Sequence, residues 1–399
     1  MSMAGTLPTL RLRPREDRRL RAGHPWIYSN EVDTRATPLK AFAPGELAVV
    51  VDARGRALGL AYVNPRTLIA ARLLTRRTDT PIDRRFFVQR LTRALRLRDL
   101  CLGRPYYRWV HAEADDLPGL VVDRYGEYLV LQVNTAGMER LRPQLLAALE
   151  EVLPARGLVL RNDGAARALE GLPGELEVRG TVPERVLLEE DGAVFETSLF
   201  RGQKTGWFYD QADNRRRLAR YVHGRRVLDL FGYAGAWSIQ ALRRGAREAL
   251  CVDSSATALE LARANAERNG VADRLVVHEG DAFATLRALE AAGERFDLVI
   301  ADPPAFIPRR KDLATGTAAY VRLNRLALRL VADPGFLVTC SCSHHLSLEA
   351  FRQVVRRAAS QAGRRVRLLE TGHQGPDHPV HPALPESDYL KCLYLHVTG

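Results

Sequence analysis

The sequence predicts an α/β protein. A doubly wound, mostly parallel sheet occupies the C-terminal half, preceded by a small β module and a middle α+β module. Three observations carry this. From about residue 225, strand-length apolar runs alternate with helix-length amphipathic segments, the pattern of strand–helix–strand crossovers. Those runs are continuously apolar, as strands covered on both faces must be. Before residue 80 the chain is short-stranded and strongly basic, with 14 Lys/Arg against 7 Asp/Glu. The modules are expected at 1–78, 79–188 and 189–399.

Composition narrows the function classes. At roughly 100–200 residues per domain, 399 residues make two or three domains. No run of 18 apolar residues is present, so no membrane helix is expected. Met1–Leu10 lacks the basic-then-apolar order of a secretory leader, and the expected compartment is the cytoplasm. Five cysteines without a CxxC argue against a disulfide scaffold and a common structural zinc site. No metal is expected. The net charge of +12 favours an anionic partner such as nucleic acid. Only four of the bases are lysine (Lys40, Lys204, Lys311, Lys391), and codon bias can also produce an arginine excess.

Arg11, Arg13, Arg15, Arg18, Arg19 and Arg21 crowd the first module. They fit either a solvated face or a phosphate-contacting surface, and the pattern leaves both open. Leu47–Asp52 and Leu58–Val63 read as strands around a turn at Gly55. In the middle module a helix is predicted from Ile82 to about Leu102, then a hairpin of 119–123 and 128–132 around Gly126, then a helix over 138–152. Strands follow near 158–161, 185–189 and 193–197, the last pair turning at Asp191-Gly192. The sheet of the third module is read from runs at 226–231, 249–253, 275–278, 296–301, 335–339 and 366–369, with helices over 256–269 and 318–330 between them. A final run, Tyr389–Val397, reads as an antiparallel edge strand.

In such sheets ligands bind beyond the carboxyl ends of the strands. There the sequence puts Asp229-Leu-Phe-Gly-Tyr-Ala-Gly235, Asp253 with Ser254, Asp281 with Ala282, and Asp302-Pro-Pro304. Gly232 and Gly235 allow a loop to wrap a nucleoside, but the dinucleotide fingerprint GxGxxG is incomplete. Each aspartate alone could be a helix cap. Four at successive strand ends of a basic protein suit a cationic ligand, and Asp253 suits ribose hydroxyls. S-adenosylmethionine, with a sulfonium and no phosphate, satisfies these demands.

Asp229–Gly235, Asp253, Asp281 and Asp302–Pro304 resemble the ordered motifs of class I S-adenosylmethionine-dependent methyltransferases, a Rossmann-like fold. Gln203-Lys-Thr-Gly-Trp-Phe-Tyr-Asp-Gln211 with Asn214 and Arg215, Gly23–Tyr28, Glu113–Leu120, Asp377–Pro379 and Tyr389–Lys391 resemble the RlmI-like family. These are bacterial large-subunit rRNA 5-methylcytosine methyltransferases with an N-terminal PUA domain. The resemblance runs over essentially the whole chain. It implies an RNA-binding first module, and 23S rRNA or a large-subunit precursor as partner. It implies cofactor contacts at Thr205, Gly206, Phe208, Asp210 and Gln211, joining Asp229, Phe231, Gly232, Gly235, Asp253, Ser254, Asp281, Ala282 and Asp302. Homodimerisation is left open.

The fifth strand ends at Thr339-Cys-Ser-Cys-Ser343. Cytosine C5 is a poor nucleophile until a thiolate adds to C6, so a cysteine beside the methyl donor is what this chemistry needs. Alternation puts Cys340 and Cys342 on one side of an extended strand and does not choose between them. Cys342 lies nearer the rim, and the family's Ser-Cys-Ser falls on 341–343, so Cys342 is the expected nucleophile. Asp302 is the expected holder or proton donor at the cytosine N3 edge. Asp302-Pro-Pro-Ala-Phe306 lacks the second cysteine of many RNA 5-methylcytosine enzymes, so the base that removes the C5 proton is unassigned. His378 and water are both candidates, and Phe306 and Tyr320 are candidates to stack on the target base. Two other readings compete: methylation of an exocyclic base nitrogen, which leaves the cysteine idle, and a non-catalytic RNA-binding assembly factor.

Overall fold

The computed structural model describes residues 7–201 and 205–399. Gln203 and Lys204 of the motif above lie outside the described residues. The chain forms two compact units. The first is Met1–Glu184, Leu199–Gly206 and Pro376–Ser387; the second is Arg185–Ser198, Trp207–Gly375 and Asp388–Gly399.

The first unit holds two five-stranded sheets. One is built from β1 (Thr9–Arg11), β2 (Trp26–Tyr28), β3 (Glu46–Val51), β4 (Ala57–Val63) and β5 (Ile69–Thr75), in the order β1-β3-β4-β5-β2. β3 and β4 are the two strands read from the sequence. Their turn is closed by Asp52, whose carboxylate accepts from the backbone N–H of Arg54 at 2.9 Å and Arg56 at 3.0 Å. The other sheet is built from β6 (Tyr106–His111), β7 (Leu120–Tyr125), β8 (Tyr128–Val133), β9 (Gly157–Asn162) and β10 (Glu175–Gly180), in the order β10-β9-β8-β7-β6. β7 and β8 pair antiparallel around Gly126, which takes φ 65°. The helix Arg84–Leu102 packs Phe86, Phe87 and Leu91 onto this sheet's core, beside Trp109 and Leu131. β1, β2, β5, β6 and β10 were not read from the sequence. Three-residue strands carry no countable period, whereas the longer three do follow turn residues, at Asn64-Pro65, Gly103–Pro105 and Pro173-Gly174.

The second unit begins with a hairpin, β11 (Val186–Glu190) and β12 (Ala193–Thr197). Asp191 and Gly192 turn it with φ of 53° and 77°, the left-handed pair that suits twisted strands. A seven-stranded sheet follows: β13 (Arg226–Leu230), β14 (Glu248–Asp253), β15 (Leu275–Glu279), β16 (Phe296–Ala301), β17 (Val331–Ser341), β18 (Arg365–Gly372) and β19 (Lys391–Thr398). Its order is β15-β14-β13-β16-β17-β19-β18. The first five strands are parallel, and β19 runs antiparallel to both its neighbours.

The expectation that the last strand forms an edge is therefore corrected: β19 lies between β17 and β18, and β18 is the edge. The burial explains it. Cys392, Leu393, Tyr394, Leu395 and Val397 are all buried, which an interior strand requires. On β18, Leu368 and Leu369 are exposed.

Alternation along β14 separates the layers. Cys251 faces Leu259 and Ala262 of the helix Ala256–Arg268. Val252 faces the other core with Leu286, Leu323, Ala327, Val354 and Ala358, from the helices Ala282–Ala291, Leu313–Leu330 and Leu348–Ala362. With helices on both faces, the parallel strands β13–β17 all bring their carboxyl ends to one rim.

One buried ion pair ties the hairpin to the segment before the sheet. Arg215, in the helix Ala212–Arg217, makes two hydrogen bonds of 2.6 Å to the Glu190 carboxylate. Trp207 Nε1 donates to the same carboxylate at 3.0 Å. Removing one partner strands a charge in a low-dielectric site. Arg215→Met is expected to lower unfolding free energy by about 3–5 kcal/mol. Adding Glu190→Leu should restore most of that loss in denaturant melts. A loss below about 1 kcal/mol for the single change would show the pair is not needed.

Candidate active site

The rim is built from the ends of β13, β14, β16 and β17. At the end of β13 the chain enters a strained loop. Phe231 and Tyr233 take φ of 63° and 47°, and Gly235 takes φ 78° just before the helix Ala236–Arg243. Left-handed backbone at non-glycine residues costs free energy and persists where surrounding structure imposes it. A Cβ at Gly232 would stand 2.3 Å from Cys251 Sγ, so only glycine lets the loop lie against the sheet.

Asp229 is fully buried beneath this loop. Its Oδ2 accepts from Ser238 Oγ at 2.7 Å and Ser238 N at 3.1 Å. Its Oδ1 has no hydrogen-bond partner among the described residues. Burial pushes the carboxyl up to about 7, Ser238 opposes that, and the charges of Asp302 and Asp253 add to it. Asp253, half-buried, accepts from Tyr233 N and Ser255 N, each at 2.9 Å. Each of its oxygens keeps a second lone pair for a hydroxyl. Asp302, also half-buried, accepts from Gln211 Nε2 at 2.9 Å and Trp237 Nε1 at 3.0 Å.

Thus two of the other strand-end aspartates, Asp253 and Asp302, act on Asp229. The fourth, Asp281, is exposed and caps the helix Ala282–Ala291 by accepting from Ala284 N at 2.8 Å. Ser254 is exposed and Ala282 is buried.

The segment before the sheet joins this cluster in part. Gln211 reaches Asp302 and accepts from Asn214 Nδ2 at 2.7 Å. Asp210 is buried and accepts from the Tyr389 hydroxyl at 2.7 Å. Phe208 is half-buried, edge-on to Tyr233 with ring centroids 5.6 Å apart. Thr205 and Gly206 belong to the first unit, where the Thr205 hydroxyl donates to Asp123.

These residues fit S-adenosylmethionine. The carboxylate cluster suits its cationic groups, Asp253 suits the ribose, and the orphaned Asp229 Oδ1 marks a polar demand that the chain leaves unmet. Asp210, Gln211, Asp229, Asp253 and Asp302 would hold it, along the wall made by Phe231–Gly235.

The two cysteines at the end of β17 differ. Cys340 is fully buried opposite Cys392 of β19, and burial drives its thiol well above the ordinary range. It is held as a neutral packing group. Cys342, one position past the strand, is partly exposed. Beside it Ser343 Oγ meets the Tyr320 hydroxyl at 3.0 Å. Tyr320 is fully buried in the core, so it is not a stacking surface as placed. Phe306, half-buried against it at 4.8 Å between centroids, keeps part of its ring open. His378 belongs to the first unit, is buried, and pairs its Nδ1 with Asp377 at 2.8 Å.

Sequence reasoning missed Trp237, Ser238 and the role of Tyr389. Trp237 had a readable signal, since an indole N–H in the first turn after the glycine loop needs a partner when buried. Tyr389 was marked only by the Tyr389–Lys391 resemblance, and its partner Asp210, 179 residues away, had no local signal.

Comparison with known proteins agrees with this fold. A profile described as S-adenosylmethionine-dependent methyltransferase matches residues 157–386, and one described as PUA-like domain matches residues 10–76. A Cronobacter sakazakii protein named ribosomal RNA large subunit methyltransferase I is 37% identical over 94% of this chain and 95% of its own length. The protein of that name from Erwinia tasmaniensis is 38% identical over 92% and 94%. Among solved structures, one described as an S-adenosylmethionine-dependent methyltransferase from Streptococcus mutans superposes with a TM-score of 0.83 at 19% identity, covering 98% of this chain and all of its own. A methyltransferase complexed with SAH superposes at 0.84 with 20% identity, over 98% and 100%.

The raised Asp229 carboxyl has a sign. Its folded value lies above its unfolded one, so its stabilising effect is full below pH 4 and lost as pH rises through about 7. Ligand-free protein is expected to melt at lower temperature at pH 8 than at pH 5. Asp229→Asn should flatten that slope, and an unchanged slope would show that another group carries it.

Proposed function

The chain belongs to the S-adenosylmethionine-dependent methyltransferase family and uses that cofactor, and from that premise we propose that it forms 5-methylcytosine in 23S rRNA through a Cys342–C6 adduct. The observation that carries the covalent reading is the contrast at the end of β17. A partly exposed thiol follows a buried, protonated one by two residues, at the rim that holds the cofactor cluster. The rRNA target rests on the relatives' names and the PUA-like match.

The cofactor supplies an electrophilic methyl group on sulfur. The chain supplies the rest. Cys342 sulfur bonds to C6, and C5 becomes enamine-like and nucleophilic. Asp302, fixed by Gln211 and Trp237, accepts from or protonates the N3 edge as charge develops there. After methylation the C5 proton leaves, the S–C6 bond breaks, and the thiolate is restored. The target base must leave its stack to reach this rim, and the open part of the Phe306 ring is the proposed stacking surface. Thr205, Gly206 and Phe208, with Ser254, Asp281 and Ala282 around the adenosine, complete the proposed cofactor contacts. The proposal includes modules at 1–78 for RNA binding, 79–188 in the middle and 189–399 for methyl transfer. No helix among the described residues is long and apolar enough to cross a membrane.

Grip on RNA is assigned to the first module. Arg13, Arg15, Arg18, Arg19 and Arg21 are exposed there, and Arg15 and Arg18 form no ion pair among the described residues. Two outcomes test the reading. With labelled cofactor and 23S rRNA, wild type should yield 5-methylcytosine on nucleoside analysis. Cys342→Ala should fall below about 1% of that rate while still binding SAH, and full activity in it would end the covalent route. Arg15→Ala with Arg18→Ala should weaken rRNA binding and reduce the slope of log affinity against log salt by about 2; an unchanged slope would move the RNA surface elsewhere.

A further inference from the structure

Lys391 opens β19 opposite Ser341 and is only 5% exposed. Its ammonium donates to two backbone carbonyls, Ser343 O at 2.7 Å and Tyr389 O at 2.8 Å. Both acceptors are neutral, and Lys391 forms no ion pair with a carboxylate among the described residues. A buried ammonium without an opposing charge is costly. Ser343 directly follows Cys342, so the bond to its carbonyl sets the ammonium at the turn that carries the thiol, and the charges of Cys342 and of Asp388, in the exposed loop before β19, favour the ammonium against its burial. Tyr320 faces Cys342 from the helix Leu313–Leu330 and is kept neutral by burial.

We propose that Lys391 is a positioning residue for Cys342: its ammonium holds the sulfur as thiolate, and its bond to Ser343 O fixes the strand end that carries it. The proposal deepens the covalent reading above and rests on it for its catalytic meaning. Lys391 forms no covalent bond. The Cys342 S–H bond breaks and its proton passes to water. The electron pair stays on sulfur, enters the S–C6 bond, and returns to sulfur when that bond breaks. Burial brings Lys391 down to about 8, with Cys342 and Asp388 resisting. The lysine is thus charged at neutral pH, and its hold on the thiolate fades above pH 8.

The test is alkylation by iodoacetamide across pH 5–10, read by mass spectrometry at Cys342, with exposed Cys101 as comparator in the same sample. In wild type the Cys342 midpoint should fall at least about one pH unit below that of Cys101. Lys391→Met should raise it by about that amount, and Lys391→Arg should keep it near wild type. A wild-type midpoint coinciding with that of Cys101 overturns the proposal without needing any variant to fold. So does an unmoved midpoint in a Lys391→Met protein that SAH still stabilises. The profile requires neither RNA nor turnover, so the two readings fail separately. A fully active Cys342→Ala enzyme removes the covalent route, whereas an ordinary Cys342 midpoint removes the pair and leaves methyl transfer standing.

Discussion

The burial of one carboxyl beside two others is the constraint around which the rim of the second unit is arranged. Asp229, Asp253 and Asp302 stand at the ends of β13, β14 and β16; burial raises the first, and the charges of the other two add to that. Like charges in a low-dielectric site survive only when hydrogen bonds, protons or cations offset them. The chain supplies hydrogen bonds. Ser238, Tyr233, Ser255, Gln211 and Trp237 each donate to one of the three. Burial raises the Asp229 carboxyl, its neighbours add to that, and a cationic group brought beside it would favour the charged form.

The supports of the cluster come from far along the chain. Gln211 and Trp237 anchor Asp302, while Arg215 and Glu190 lock the segment bearing Gln211 against the β11–β12 hairpin. The buried pair adds little net stability, since both ions lose their water. Its contribution is to fix a geometry. A carboxylate held by two donors on different elements keeps one orientation.

The end of β17 shows how environment alone separates identical side chains. Cys340 faces Cys392 in an interior strand pair and is held as a thiol. Cys342, past the last ladder position, meets partial solvent and a lysine charge. The insertion of β19 between β17 and β18 creates both environments at once. It buries the first cysteine and brings Lys391 and Tyr389 to the rim.

Read alone, the sequence determined the alternating architecture, the parallel sheet and the positions of its strand-end aspartates and cysteines. The reason is physical: crossover topology sends every parallel strand's carboxyl end to the same rim, so local pattern is enough to know which residues meet there. It also carried the glycines of the first loop, because their steric demand is local. Tertiary structure decided what pattern could not express. Which aspartates couple, and that Asp281 serves as a cap, depends on distances across the sheet. That β19 is interior depends on where an antiparallel return strand docks. The indole on Asp302 and the ammonium beside Cys342 depend on pairings between residues 48 or more positions apart, and no periodicity in a linear chain records such pairings.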